Sequence, residues 1–291
     1  MNASYNLSFN TPCFCRGMDN RDEAKPEIRP ASIRGQLRMW YRLTCPNPNM
    51  APLQEKEIFG GVHGGAKASP IAVRVANVHA GEDKSYPTLP HKSGGIAAPK
   101  HGFPAGTSFV LQVLERRGGI GKHQQGLQNA IEAWLLLGGL GLRVTRAAGS
   151  LQWDQQPQDP TAFQQKIQQL TQGTSIRAAL LGEVDSADNL RRIASDTIGG
   201  HKAHDEKNAL NAMGYPLGGI NLQVGGNRIQ RKTSPLRFSI KKFADGHRLI
   251  AVWDKSVYGP FSVGPRLVKA LKDKGKKIGN LLEPALPILT S

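Results

Sequence analysis

The sequence predicts an α+β protein, with a ferredoxin-like domain over residues 1–156 and a less regular, basic α+β domain over residues 157–291. Three observations carry that prediction. The first half runs strand, helix, strand, strand, helix, strand, the order of a split βαβ unit. Composition shifts after Trp153 into a Gln-rich stretch. A chain of 291 residues also suits two compact domains with ample material for a core.

The elements are justified in order. Tyr5 to Cys13 alternates, with Tyr5, Leu7 and Phe9 on one side, and reads as the opening strand. A charged loop from Arg16 to Arg29 follows. Pro30 then opens a helix with Ser32 near its start. Ile33, Leu37 and Trp40 make its core face, and Arg34, Arg38 and Arg42 form a ridge beside it. Ser69 to Val78 alternates as a second strand. Glu82 to Pro104, rich in Gly, Pro, His and Lys, reads as a long exposed loop. Thr107 to Leu114 is the third strand. Gln124 to Leu137 is a helix with Leu127, Ile131, Trp134 and Leu135 on one face, stopped by Gly138 and Gly139. Leu140 to Trp153 returns as an extended, glycine-bearing segment.

Beyond it, Asp159 as N-cap and Pro160 in the first turn predict a helix carrying Phe163, Ile167 and Leu170. Residues 188–197 read as a short helix, and His201 to Gly214 as a polar excursion. Ile220 to Val224, Pro235 to Phe243 and Arg248 to Asp254 read as strands, the last two joined through Ala244-Asp245-Gly246. Val263 to Lys274 predicts a closing basic helix.

Charge narrows the partner. The net charge is +16, divided as +2 over residues 1–60, +5 over 61–156, −1 over 157–223 and +10 over the last 68 residues. A folded segment this basic faces a polyanion more often than not, because neutralising phosphates releases condensed counterions. No apolar run reaches the roughly 18–20 residues that span a bilayer. The first residues carry no basic and apolar leader pattern, so a cytoplasmic protein is expected. Three cysteines, an odd number, make no disulfide framework.

Enzyme chemistry finds little support. Cys13 and Cys15 have no second pair to complete a zinc site, and Cys45 stands alone. His201 and His204 have no HExxH context, and no Walker phosphate loop is present. Gly139, Gly141 and Gly149 follow a helix and precede a strand, the reverse of a dinucleotide fingerprint. Neither a metal nor a cofactor is therefore expected. With Arg143 and Arg146 beside them, those glycines suit either tight packing or an approach to a phosphate-sugar backbone. The acidic group Asp19, Asp22, Glu23 and Glu27 could hold Mg²⁺ for RNA cleavage, or equally be a solvated loop pairing with Arg16, Arg21 and Arg29. The arginine ridge beside Trp40 and Tyr41 combines phosphate binders with aromatic faces, a mixture that RNA-binding domains use. Intramolecular carboxylates are the other outlet for those arginines.

These residues resemble a family. Thr11-Pro12, Arg16-Gly17-Met18-Asp19, the run EIRPASIRGQLRMWYR from Glu27 to Arg42, and Ile58-Phe59-Gly60-Gly61 are similar to the N-terminal signature of the first Cmr subunits. Those belong to the RAMP superfamily and to type III-B CRISPR effector complexes. The run from Gly138 to Leu151 resembles the family's glycine-rich motif, with Ala147-Ala148 where the family often has Gly with an aromatic. Arg231-Lys232-Thr233-Ser234-Pro235-Leu236 resembles its C-terminal strand motif. The resemblance implies two tandem ferredoxin-like (RRM-like) folds in a non-catalytic end subunit. It also implies partnership with guide RNA near its 3′ part, with target RNA and with other subunits of the complex. The candidate RNA-binding residues are then Arg16, Arg29, Arg34, Arg38, Arg42, Gly139, Gly141, Arg143, Arg146, Arg231, Lys232, Lys241 and Lys242. The rival readings are an RNA endonuclease using Asp19 or Asp22 and a protein–protein scaffold.

Overall fold

A computed structural model describes residues 2–16, 25–62, 65–82, 84–116, 119–181, 184–199, 223–224, 227–228 and 237–254. Its first half is built on strand β1 (Asn2–Phe9), helices α1 (Pro30–Thr44) and α2 (Ala51–Phe59), and strand β2 (Ile71–His79). A small hairpin of β3 (Lys84–Pro87) and β4 (Pro99–Gly102) comes next, then β5 (Ser108–Glu115), α3 (Gln124–Leu137) and β6 (Leu151–Trp153). Strands β1, β2, β5 and the three-residue β6 form one antiparallel sheet in the order β2-β5-β1-β6. Third strand between first and second, fourth beside the first: that is the split βαβ order expected of residues 1–156.

Alternation explains the register. Tyr5, Leu7 and Phe9 turn inward opposite Leu111 and Phe109, since Tyr5 pairs with Leu111 and Leu7 with Phe109. Helices α1 and α3 cover that face, with Leu37, Trp40, Leu127, Ile131 and Trp134 buried between them. Apolar residues at a spacing of three and four place one stripe of each helix on the sheet.

The second half holds α4 (Pro160–Thr171), β7 (Ile176–Leu180), α5 (Ala187–Gly199), the short pair β8 (Gln223–Val224) and β9 (Asn227–Arg228), β10 (Arg237–Phe243) and β11 (Gly246–Asp254). As its sequence predicts, α4 starts on Asp159, whose carboxylate accepts from the Ala162 amide at 2.8 Å, with Pro160 behind it. The second sheet has the antiparallel order β10-β11-β7.

Several expectations are corrected. The loop from Glu82 to Pro104 contains the β3–β4 hairpin and a single 3₁₀ turn at Gly94–Ala97. The opening strand stops at Phe9; Cys13 and Phe14 make only isolated bridges, to Phe103 and Leu142. Between Leu140 and Ser150 the chain is a compact loop, and only Leu151–Trp153 is strand. Helix α2 and strand β7 were not anticipated. The helix expected at 263–274 and the excursion at 201–214 lie outside the described residues.

One hydrophobic cluster crosses the division at 156/157. Phe163, Ile167 and Leu170 of α4 and Ile250 and Val252 of β11 belong to the same buried cluster as Leu7, Leu37 and Trp134. Phe163 is fully buried and meets Phe243 edge-on, ring centroids 5.2 Å apart. Replacing Phe163 with Ala is therefore expected to lower the unfolding free energy by about 3–5 kcal/mol. Urea titration checks this; a loss below about 1 kcal/mol would mean that α4 is not part of the common core.

Candidate nucleic-acid interface

The glycine-rich segment from Gly138 to Ser150 is a folded loop whose shape its own residues dictate. Gly141 (φ +94°), Arg143 (φ +61°), Ala147 (φ +60°) and Gly149 (φ +59°) all adopt left-handed backbone. At Gly149 the requirement is strict, because a Cβ there would meet the Leu140 carbonyl oxygen at 1.9 Å. Gly141 in turn lies against the Phe14 carbonyl, 2.9 Å from where its Cβ would be. Backbone bonds fix the loop to the stretch after β1: the Leu142 amide donates to Phe14 at 3.0 Å and the Gly149 amide to Pro12 at 2.9 Å. Thr11 Oγ1 donates to the Ala147 carbonyl at 2.6 Å and accepts from the Ser150 amide at 3.0 Å. Cys13 packs beneath, its thiol 3.3 Å from the Leu140 carbonyl and 3.2 Å from the Cys15 sulfur. Burial pushes the Cys13 thiol well up from its ordinary pKa, so this neighbour is a packing group rather than a thiolate.

Strand β10 closes the other side. The Phe238 amide donates to the Thr145 carbonyl at 3.1 Å, Ser239 Oγ to Gly138 at 3.1 Å, and the Ile240 amide to Ser150 Oγ at 3.0 Å. Gln152 uses both ends of its amide on Lys242, accepting from its N–H at 3.1 Å and donating to its carbonyl at 3.0 Å. Between these contacts Lys241 is fully buried. Its Nζ donates to the Leu135 carbonyl at 2.5 Å, in the last turn of α3, and to the Leu151 carbonyl. Lys241, expected at an RNA surface, is thus an internal tie; Phe238, Ile240 and Lys241 turn into the interior while Lys242 is exposed.

The structure sorts the other expected residues. Arg146 and Gly139 are buried within the loop, and Arg146 pairs its backbone with Phe238. Leu142 stands 48% exposed at the loop tip beside the partly exposed Arg143. Arg16 and Arg29 are partly exposed, Arg16 pairs with Pro26, and the Glu27 amide donates to the Cys15 carbonyl at 3.2 Å. Asp19, Asp22, Arg231 and Lys232 lie outside the described residues. Among the described residues, no group of three or more His, Cys, Asp or Glu side chains could hold a metal ion. No described helix is long and apolar enough to cross a membrane.

The ridge on α1 is engaged inside the molecule. Arg38 Nε lies 2.5 Å from Oε1 of Glu55, and Arg42 Nε bonds the other carboxylate oxygen. Arg34 donates to the Phe59 carbonyl at the end of α2. Glu55 itself is 1% exposed. The spacing of the arginines was legible; their carboxylate was not, because α2 was not anticipated.

Residues 7–152 match the model of the RAMP superfamily. The fold resembles a crystal structure of Cmr1 from Pyrococcus furiosus, with a TM-score of 0.61, 14% identity, and coverage of 87% of this chain and 88% of that one. It also resembles a chain of a type III-B Cmr-beta complex bound to cognate target RNA, at TM-score 0.60 and 9% identity, covering 92% and 99% respectively. Another structure of that complex, bound to target RNA and AMPPnP in the presence of single-stranded DNA, contributes a chain at TM-score 0.57 and 10% identity. The match covers 93% of this chain and 98% of that one. No curated protein matches in sequence.

Two measurements test the ties. Glu55→Gln removes the charge between two half-exposed guanidiniums, and a loss of about 1–2 kcal/mol in denaturant unfolding is expected. No change would make the pair energetically idle. Burial lowers the Lys241 ammonium to about 7, whereas the unfolded chain holds that proton to about 10.4. Folding then releases a proton between those values, so this site's contribution to stability grows as pH rises through that window. The wild type should gain about 2 kcal/mol on Lys241→Met between pH 7 and pH 9; a difference flat with pH would overturn the assignment.

Proposed function

This chain belongs to the RAMP superfamily, and from that membership we propose that it is a non-catalytic RNA-binding subunit at one end of a type III CRISPR ribonucleoprotein. It captures the 3′ region of the guide RNA together with target RNA for antiviral defence, in the cytoplasm, held by neighbouring subunits. The two halves, divided near residue 156, are read as tandem ferredoxin-like units. In the second, β7, α5, β10 and β11 come in the order strand, helix, strand, strand, with the short β8–β9 pair between α5 and β10, and β11 lies between β10 and β7 in the sheet.

The observation that carries the reading is the glycine-rich loop. It lies within the family-matched segment and is braced from two sides, with Leu142 and Arg143 at its outer turn. A rigid loop bearing a guanidinium beside an apolar side chain suits a phosphate and its neighbouring base, and it requires no particular base sequence. Arg16, Arg29 and Lys242 have enough exposure to extend the track. Arg38 and Arg42 contribute through their outward edges while Glu55 holds their Nε atoms. Arg231 and Lys232 join them through the family motif alone. Gly139, Gly141, Arg34, Arg146 and Lys241 serve the site by shaping it.

Separate Arg143→Glu and Lys242→Glu variants of the full chain test this. Each is expected to weaken single-stranded RNA binding about tenfold or more and to flatten the dependence of log affinity on log salt by roughly one phosphate contact. Unchanged affinity and slope in both would sink the RNA reading. Incorporation into the complex that survives RNase treatment would favour the scaffold reading instead.

A further inference from the structure

The β3–β4 hairpin meets α5 in a second group of cations. Lys92 sits in the hairpin turn, its amide bonded to the Leu89 carbonyl at 2.9 Å. The Lys92 stem is partly exposed, but its Nζ is turned inward, sealed from solvent and without a hydrogen-bond partner. Across the junction, Ser195 Oγ lies 2.8 Å from His91 Nδ1, and one helical turn earlier Arg191 donates to the Pro87 carbonyl at 2.6 Å. Arg191 is 3% exposed, its guanidinium lies 5.4 Å from the centroid of the Phe14 ring, and its Nε also has no partner. The acid whose field reaches Arg191 is Asp188 on the same helix, without forming an ion pair.

Two buried cations satisfied by one carbonyl and one ring face are an expensive arrangement. Lysine and arginine differ from other buried polar groups in having long stems that let the charged head swing outward when an anion arrives. The position says which anion. Phe14, under the Arg191 guanidinium, is the residue whose carbonyl holds the Leu142 amide of the glycine-rich loop. The junction is therefore one side chain away from the loop that carries Arg143.

We propose that the junction of the β3–β4 hairpin and α5 is a second phosphate-binding point, where Lys92 and Arg191 take the anionic oxygens of an RNA backbone continuing from the glycine-rich loop. This rests on the RNA-binding reading above and assigns the hairpin, expected from sequence to be a long exposed loop, a role in holding the strand. His91 and Ser195 position the hairpin on α5 and do not themselves neutralise the phosphate.

The experiment uses the full chain and the variants Lys92→Met, Lys92→Arg and Arg191→Gln, with two readouts. The first is the affinity for labelled single-stranded RNA as a function of salt. The second is the shift of melting temperature with inorganic pyrophosphate, measured against chloride at matched ionic strength. Lys92→Met is expected to lower RNA affinity roughly tenfold, to reduce the salt slope by about 0.7, and to abolish the pyrophosphate shift. Lys92→Arg is expected to keep most of both, and Arg191→Gln to weaken both. A Lys92→Met protein that melts higher than wild type, with RNA affinity, salt slope and pyrophosphate shift unchanged, would overturn the proposal and leave the function standing. A wild type that binds no RNA yet needs Lys92 for its pyrophosphate shift would retain the anion site and remove the RNA reading.

Discussion

The site depends on a single buried amine. Lys241 reaches from β10 into the space between the end of α3 and the start of β6, and its Nζ finds two carbonyls there. The last turn of a helix leaves its carbonyls without amide partners, and a cation or donor at that end is favoured by the aligned peptide dipoles. Around this tie, Ser239 and the amides of Phe238 and Ile240 take further groups of the glycine-rich loop. The loop is thus shaped by a strand that belongs to the other half of the chain. Without β10, Gly138, Thr145 and Ser150 would each lose a partner at once.

Periodicity made most of the first half readable, because its buried faces are clean. Tyr5, Leu7 and Phe9, and the stripe from Leu127 to Leu135, could only be one strand face and one helix face. The exceptions have physical reasons. Helix α2 buries Ala51, Glu55, Ile58 and Phe59, and a charged residue on the inner face blurs the apolar stripe that reveals a helix. Strand β7 is rich in alanine, which marks neither period. The β3–β4 hairpin hides among Gly, Pro and His, since four-residue strands carry too little alternation to register.

The site was legible in outline and misread in detail. Glycines at fixed spacing announced a backbone of unusual shape, and Gly141 and Gly149 do take left-handed conformations. Charge, however, does not declare its direction. Lys241 and Arg146 turn inward, and the α1 ridge spends part of its hydrogen-bonding capacity on Glu55. Ala147 and Ala148, which stand where an aromatic is common in the resembling family, are both buried under the loop. The apolar side chain that the loop does expose is Leu142. Which cations face outward is decided by pairings across the fold, and such pairings leave no mark in local sequence.

The bonds between β10 and the loop join residues about 90 positions apart in the chain. During synthesis the glycine-rich segment therefore leaves the ribosome long before the strand that braces it exists. Through that interval the segment has its partners at Pro12 and Phe14 but none at Phe238 or Ile240. Long-range pairings of this kind form late, after the cost of closing the intervening loop has been met. A nascent chain thus holds only a half-braced loop, which matures once translation has passed the second sheet.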